Sequence, residues 1–195
     1  MLLLPLFTIA LVKEIHFTPS NKCADLVMRQ LDKAKERVRI AMYSLTDKQI
    51  IEKINKTAKR GIIISLIAEC NDYNEFLEKI DIMRDIDNII CDKRSAYEHN
   101  KFMIVDDTQV VTGSYDWTEH ARENSENCLL IEDKDYIYRD RFFYLVFEFY
   151  NEFDIDFCIN FLRKKKSIRK PFSKDDIHGI EIFCQQKLEY HNLEL

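Results

Sequence analysis

Short apolar runs alternate with amphipathic segments along most of the chain. Ile62 to Ala68 is an almost continuous apolar run, which is typical of a parallel strand covered on both faces. Val38 to Tyr43 is a similar run. Before and after Val38 to Tyr43, apolar residues recur every three or four positions, which predicts helices from Lys22 to Arg37 and from Thr46 to Gly61. The alternation predicts an α/β fold in which a mixed sheet is sandwiched between helices.

Further strands and helices are predicted from shorter patterns. Thr46, with Gln49 three residues later, has the pattern of a capping box, and Gly61 stands where a glycine commonly ends a helix. The other predicted strands are Ile15 to Thr18, Asp87 to Cys91, Lys101 to Val105, Gln109 to Thr112 and Cys128 to Ile131. The other predicted helices are Asn71 to Ile80, a short one near Thr118, a long one from Asp135 to Phe153 and a final one after Ser173.

The two ends of the chain differ from this middle part. Residues 1–12 are apolar but too short for an ordinary membrane-spanning helix. They are predicted to form a buried strand or packing segment, with a signal or a membrane-proximal anchor as the alternative. Arg163 to Lys170 is a basic run that forms a solvated tail or contacts nucleic-acid phosphates or anionic lipid. We therefore predict three parts: residues 1–14, a single domain over 15–153, and a basic linker with a C-terminal helix over 154–195.

Composition narrows the class of protein. Hydrophobic residues make up 46% of the 195 residues, which argues against disorder as the main state. The net charge of −5 excludes a uniformly basic surface, so nucleic acid would need a local basic patch. The six cysteines lack C-x-x-C spacing and are predicted to be small buried residues in a reducing compartment. A cytoplasmic location follows, with membrane association or export as the alternative because of the apolar N-terminus.

A dense group of polar residues lies in the middle of the chain. His99 and Lys101 precede Asp106 and then Gly113-Ser114, with the pattern H-x-K-x4-D-x6-G-S. Because residues i and i+2 of a strand point the same way, His99 and Lys101 are predicted to lie side by side. A histidine can attack or protonate and a neighbouring lysine can hold an anion, so the pair indicates phosphoryl chemistry.

These residues resemble the HKD signature of the phospholipase D superfamily. The match comprises His99, Lys101, Asp106, Gly113 and Ser114, followed by Glu126 and Asn127. The chain carries one copy and is similar to the bacterial HKD endonucleases and to the mitochondrial cardiolipin hydrolase/Zucchini group. The resemblance extends from Phe17 to Tyr150, and Phe17-Thr18-Pro19 is similar to the opening F-[ST]-P of that group. It implies the phospholipase D-like α/β fold.

One position departs from the family pattern. The family has Asn in G-S-x-N-[WF]-[TS], and this chain has Asp116 in Gly113-Ser114-Tyr115-Asp116-Trp117-Thr118. An amide can donate to a phosphate oxygen, whereas an ionised carboxylate can only accept. Asp116 therefore either faces the phosphate and weakens its binding, or turns away and caps the short helix after Thr118.

The resemblance also implies how the site works. The family uses two HKD motifs per active site, so a chain with one motif is expected to form a homodimer. One His99 would attack phosphorus to give a phosphohistidine, the other would protonate the leaving oxygen, and Lys101 would hold phosphate oxygens. The implied roles of the remaining residues are these: Ser114 supports the phosphate or its partner histidine, Glu126 orients a His99 ring, Asp116 and Asn127 contact substrate, and Asp106 and Gly113 are structural.

No metal or other cofactor is needed by this chemistry, because histidine and lysine supply nucleophile, acid and charge. A cation site among Asp106, Asp107 and Asp116 is the alternative. The expected function is a metal-independent phosphodiesterase that cleaves nucleic acid as an endonuclease. Two alternatives stay open: a hydrolase of anionic phospholipids such as cardiolipin, and a weakly active or inactive phosphate-binding scaffold because of Asp116.

Overall fold

The computed structural model describes residues 11–69, 86, 88–92 and 97–149. The predicted helix from Asn71 to Ile80, the basic run Arg163 to Lys170 and the final helix lie outside the described residues. The chain divides into two compact units, Met1–Arg139 and Asp140–Leu195. The predicted three-part division stays a prediction.

A seven-stranded mixed sheet forms the first unit, in the order β1-β7-β6-β5-β2-β3-β4. β2, β3 and β4 are parallel, and the other neighbours are antiparallel. The strands are β1 (Leu11–Phe17), β2 (Arg37–Met42), β3 (Ile63–Glu69), β4 (Asn88–Asp92), β5 (Lys101–Val105), β6 (Gln109–Gly113) and β7 (Asn127–Glu132). The predicted α/β class with a mixed sheet is confirmed.

Three α-helices are described: α1 (Lys22–Lys33), α2 (Lys48–Lys59) and α3 (Ile137–Phe149). The apolar faces of α1 and α2 join the inward side chains of β2 and β3 in one buried core. Burying such faces is what stabilises amphipathic helices. α1 ends at Lys33, short of the predicted Arg37, and α3 begins at Ile137 rather than at the predicted Asp135. The predicted end of that helix at Phe153 lies outside the described residues. The short helix predicted near Thr118 is a single 3₁₀ turn over His120–Arg122.

The start of α2 corrects one prediction. Asp47, not Thr46, caps the helix, because its buried carboxylate accepts the N–H groups of Gln49 at 2.9 Å and Ile50 at 3.3 Å. Arg122 also donates to this carboxylate, at 2.9 Å through Nε. The end of the helix was predicted correctly, since Gly61 follows it at φ +85°, a conformation that favours glycine.

The N-terminal strand also departs from the prediction. β1 begins at Leu11 rather than Ile15 and pairs with β7 at the edge of the sheet. Leu11 and Val12, the described end of the apolar segment, were expected to be buried, but they are 53% and 45% exposed. The burial prediction is wrong for these two side chains, and residues 1–10 lie outside the described residues. Among the described residues, no helix is long and apolar enough to cross a membrane.

Two of the six cysteines correct the prediction of free thiols. Cys23 in α1 and Cys128 in β7 form a disulfide, with Cα atoms 5.7 Å apart. Both residues are buried, as predicted. The pairing arises because α1 packs against β1 and β7, which brings together residues 105 positions apart. A disulfide is typical of oxidising compartments and favours the exported alternative over the predicted cytoplasmic location, which stays a prediction.

Candidate active site

The candidate site lies where several neighbouring strands in the middle of the sheet begin or end. β5 runs antiparallel to β2, so Lys101 at the start of β5 pairs with Met42 at the end of β2. On the other side of β5, β6 ends at Gly113, which pairs with Cys128 near the start of β7. The sheet therefore gathers residues that are far apart in sequence, and loops at such strand ends commonly carry function.

His99 and Lys101 lie side by side, as their spacing predicted. Lys101 Nζ is 3.3 Å from His99 Nδ1 and 3.4 Å from the His99 carbonyl oxygen. An ammonium has no lone pair and can only donate, so a neutral His99 ring carries its proton on Nε2 in this arrangement. A leaving oxygen is protonated by the imidazolium form, which carries a proton on both ring nitrogens. The imidazole is exposed, whereas the Lys101 side chain is 7% exposed.

Tyr43 is part of this cluster, and sequence reasoning missed it. Its ring lies 4.3 Å from the His99 ring, centroid to centroid, and 4.8 Å from Lys101 Nζ. The second contact has the geometry of a cation–π interaction. The Tyr43 N–H donates to the Asn100 carbonyl at 3.0 Å, which fixes the end of β2 against the residue between His99 and Lys101. Tyr43 thus contacts both members of the predicted catalytic pair.

Asp116 faces the site. Its Oδ1 is 3.3 Å from Lys101 Nζ, and the side chain is 24% exposed. The Trp117 N–H donates to the Ser44 carbonyl at 3.0 Å, which holds the Asp116 segment against the end of β2. Burial raises the pKa of Asp116 above its ordinary value, and the Lys101 charge opposes that shift without cancelling it. The alternative helix-capping role is filled by Thr118, whose Oγ1 accepts the Ala121 N–H at 3.1 Å.

Ser114, Glu126 and Asn127 form a second polar group beside the first. The Ser114 hydroxyl donates to Glu126 Oε2 and accepts the Asn127 N–H at 3.0 Å. Asn124 Nδ2 donates to the other Glu126 oxygen at 3.4 Å. Within one chain, the expected bond from Glu126 to a His99 ring is not formed among the residues that the structure describes. Glu126 instead fixes the hydroxyl of Ser114.

Gly113 makes this second group possible. Its φ is +148°, and a Cβ built on it would lie 2.2 Å from the Asn127 carbonyl oxygen. That carbonyl accepts the Ser114 N–H at 3.1 Å and the Tyr115 N–H at 3.3 Å. Only glycine combines this backbone conformation with so close an approach.

Asp106, the third letter of the HKD motif, lies at the opposite end of β5 from Lys101. Five residues of strand separate the two ends, about 16 Å at the usual rise. The Asp106 carboxylate accepts the N–H groups of Lys35, Glu36 and Arg37 at 2.9 to 3.2 Å. Its φ of +47° and that of Asp107, +67°, shape the turn between β5 and β6.

The three aspartates of the alternative cation site have separate partners. Asp106 accepts backbone amides, Asp107 pairs with Arg39, and Asp116 faces Lys101. Across the described parts of the chain, no three histidine, cysteine, aspartate or glutamate side chains are grouped so that they could hold a metal ion.

The comparisons with known proteins agree with the motif. The family model described as "Cardiolipin synthase, PLD-like domain" matches residues 27–144, more than half of the chain. The matched range contains both polar groups of the site. The chain belongs to this phospholipase D-like family. With its single motif, it falls in the one-copy group of the phospholipase D superfamily.

Several known proteins are similar to this chain in sequence. A phospholipase D of Rickettsia conorii is 29% identical over 121 residues, which are 61% of this chain and 60% of that protein. A mitochondrial cardiolipin hydrolase of Canis lupus familiaris is 27% identical over 168 residues, 85% of this chain and 65% of the relative. The chain thus matches less than two thirds of the length of these relatives.

Two solved structures share the fold. The phospholipase D family member Nuc from Salmonella typhimurium superposes with a TM-score of 0.58 at 26% identity, over 64% of this chain and 84% of that one. NucT from Helicobacter pylori superposes with the same TM-score at 23% identity, over 69% and 94% of the two chains. The second likeness concerns the fold alone.

Proposed function

We propose that this chain is a metal-independent phosphodiesterase that cleaves nucleic acid as an endonuclease, through a phosphohistidine intermediate at a homodimer interface. The observation that carries the proposal is the contact between the exposed His99 ring and the shielded ammonium of Lys101, 3.3 Å apart. A nucleophile beside a fixed positive charge is what a phosphodiester requires, because charge on the non-bridging oxygens must be offset during attack.

The reaction needs two histidines in opposite protonation states. His99 of one chain attacks phosphorus, a P–N bond forms, and the P–O bond to the leaving group breaks. His99 of the partner subunit donates its proton to that leaving oxygen. The same partner histidine then removes a proton from water, which attacks phosphorus and breaks the P–N bond. Each chain supplies one such residue in an HKD motif, so a two-fold dimer supplies both.

The substrate assignment rests on chemistry and on resemblance to the one-copy bacterial HKD endonucleases. Lys101 would bind any phosphodiester, since an ammonium contact does not depend on the groups that flank the phosphate. Asn127 is proposed to contact substrate together with Asp116. Direct assay has to identify the flanking groups.

A phospholipid substrate is the second candidate, and a specific observation favours it. β1 exposes a row of apolar side chains, and Phe17 at its end is 67% exposed and pairs with Asn127 of the site. An apolar rim beside a phosphate site could rest on a lipid surface. Similarity to the mitochondrial cardiolipin hydrolases also favours a phospholipid substrate.

The inactive scaffold is the third candidate. The contact of Asp116 with Lys101 supports it, because the carboxylate neutralises the ammonium group that would bind phosphate. The exposed and accessible His99 argues against it.

The test is incubation with labelled single-stranded DNA, RNA and cardiolipin vesicles in excess EDTA. The wild type is expected to cleave nucleic acid, and His99→Ala to lose at least about 10³-fold in rate, because it removes nucleophile and acid together. His120→Ala is the matched control, since the His120 side chain is highly exposed and its Nδ1 lies 3.8 Å from a Glu123 carboxylate oxygen. Cleavage of cardiolipin alone would establish the second candidate, and no turnover of any substrate would support the scaffold.

The dimer is tested separately by sedimentation and by mixing. A homodimer is expected at assay concentration, and mixed dimers of wild type and His99→Ala are expected to be nearly inactive. An active monomer would contradict the proposed mechanism.

A further inference from the structure

A short series of aromatic rings leads from the imidazole of His99 to the solvent. The ring of Tyr43 packs on that of His99 with centroids 4.3 Å apart and planes at 44°. The ring of Tyr97 meets Tyr43 nearly at right angles, at 82° and 5.9 Å. Tyr97 is 61% exposed, whereas Tyr43 is only partly so. The outermost ring therefore offers free surface next to the proposed phosphate site.

The segment that carries Tyr97 is held in place by hydrogen bonds. The Glu98 N–H donates to Glu69 Oε2 at 2.7 Å, and Glu98 Oε1 accepts from Asn100 Nδ2 at 2.6 Å and from the Asn100 N–H at 3.0 Å. Glu98 is 1% exposed, while Tyr97 and His99 on either side of it are exposed. Because exposure alternates along these three residues, Tyr97 and His99 lie on one side of the chain.

An exposed tyrosine that is already ordered loses little conformational freedom when a flat group stacks on it. The backbone bonds of Glu98 and the edge contact with Tyr43 supply that order. Stacking on an aromatic ring beside a phosphate site is how proteins bind single-stranded nucleic acid without reading its sequence. A base within a duplex has both faces covered by its neighbours, so an accessible face requires an unpaired base. The glycerol and acyl chains beside a lipid phosphate have no flat face to stack.

We propose that Tyr97, supported by Tyr43, is a base-stacking subsite that binds an unpaired nucleobase next to the scissile phosphate and selects single-stranded nucleic acid. The proposal rests on the proposed nuclease function and adds the residue that recognises the substrate. Tyr97 takes no part in the bond-breaking steps.

The experiment compares a single-stranded oligonucleotide with the same oligonucleotide carrying abasic residues on both sides of the cleaved linkage. Tyr97→Ala and Tyr97→Leu are expected to lower kcat/KM for the normal strand on the order of tenfold, because a stacked base contributes that much. Tyr97→Phe keeps the flat ring and should retain the wild-type value. On the abasic strand, all four proteins should be equal.

Tyr136→Ala is the matched control. Tyr136 is also an exposed tyrosine, 37% exposed and stacked with Arg139, but it follows the end of β7 that lies away from the site. This variant should match the wild type on both strands. Thermal unfolding of each variant checks that it is folded. Tyr97→Leu keeps an apolar side chain of some bulk and serves as the test if Tyr97→Ala does not fold.

Binding without turnover separates this proposal from the function on which it rests. In a His99→Ala background, a strand containing 2-aminopurine should show fluorescence quenching on binding, and adding Tyr97→Ala should abolish the quenching and weaken Kd about tenfold. That result would support the subsite even if no cleavage were seen. Three results would overturn the proposal. Tyr97→Ala could weaken activity or binding equally on normal and abasic strands, it could weaken neither, or its effect could be confined to cardiolipin vesicles.

Discussion

Asp116 Oδ1 lies 3.3 Å from Lys101 Nζ. The carboxylate therefore pairs with the ammonium group that would otherwise bind a phosphate. The pair is largely shielded from water, and burial raises the pKa of Asp116 despite the neighbouring ammonium. A bound phosphodiester would meet a second negative charge at close range. This contact sets the expected pH dependence of the site.

Asp116→Asn is expected to raise kcat/KM about tenfold or more near pH 7, equivalent to about 1.4 kcal/mol, by removing the repulsion and adding a donor. Because the pKa of Asp116 is raised, the wild-type side chain becomes neutral as pH falls through that raised value. The ratio of variant to wild type should therefore be largest at neutral pH and shrink toward acid pH. The measurement is the pH profile of that ratio from pH 5 to 8.

A flat ratio near one would show that the carboxylate does not face the phosphate. A ratio below one would give Asp116 a positive role. Asp32→Asn is the control, because Asp32 is an exposed aspartate that is also paired with a lysine, Lys53, and lies on α1.

Lys101→Ala is expected to lower kcat/KM by about 10²- to 10³-fold, as for the loss of one charge-stabilising donor. Lys101→Arg should retain only part of the wild-type kcat/KM, since the guanidinium group is larger than an ammonium and planar. The double variant Lys101→Ala with Asp116→Asn separates two causes of the loss. It should stay inactive if Lys101 holds phosphate, and it should recover if the single variant fails only because Asp116 is left unpaired. Steady-state kinetics on the identified substrate gives the answer, with Lys56→Ala as an exposed-lysine control.

Asp106→Ala is expected to lower the free energy of unfolding by about 2 kcal/mol or more, because three backbone N–H groups lose their acceptor. Asp106→Asn keeps one acceptor oxygen and tolerates the positive φ, so it should cost less. Urea unfolding measures both. The folded fraction should keep its kcat/KM within about threefold, as expected for a residue at the far end of β5. A folded but inactive Asp106→Asn would assign it a part in the chemistry.

Gly113→Ala is expected to destabilise the protein by more than about 1 kcal/mol, because the methyl group would collide with the Asn127 carbonyl. Gly61→Ala is a matched control, since Gly61 also has positive φ but nothing lies within 4 Å of an added Cβ. The difference between the two in urea unfolding isolates the collision. Equal losses would show that the close approach of β6 and β7 does not need Gly113.

The sequence predicted features that depend on neighbouring residues. The pairing of His99 with Lys101 follows from strand geometry over two positions, and Gly61 follows from the way a helix ends. The fold class follows from the order of apolar runs. Each of these depends on a few consecutive residues, and local patterns are sufficient for them.

Contacts between distant segments were not predictable in this way. Tyr43 reaches His99 only because β2 and β5 are neighbours in the sheet, and Cys23 meets Cys128 only because α1 packs on β7. The cap of α2 was assigned to Thr46 although Asp47 takes it, because Arg122 from a remote turn holds that carboxylate. The sequence predicted two orientations of Asp116, and its side chain contacts Lys101 from a distant strand while Thr118 caps the turn.

The stereochemical course at phosphorus tests the central claim, a covalent phosphohistidine at His99, most directly. A substrate with a phosphorothioate of single configuration at the cleaved linkage, hydrolysed in isotopically labelled water, gives a product whose configuration can be determined. Each in-line displacement inverts phosphorus. Attack by His99 followed by attack by water gives two inversions, so the account predicts overall retention, whereas net inversion would show that water attacks directly and would contradict it.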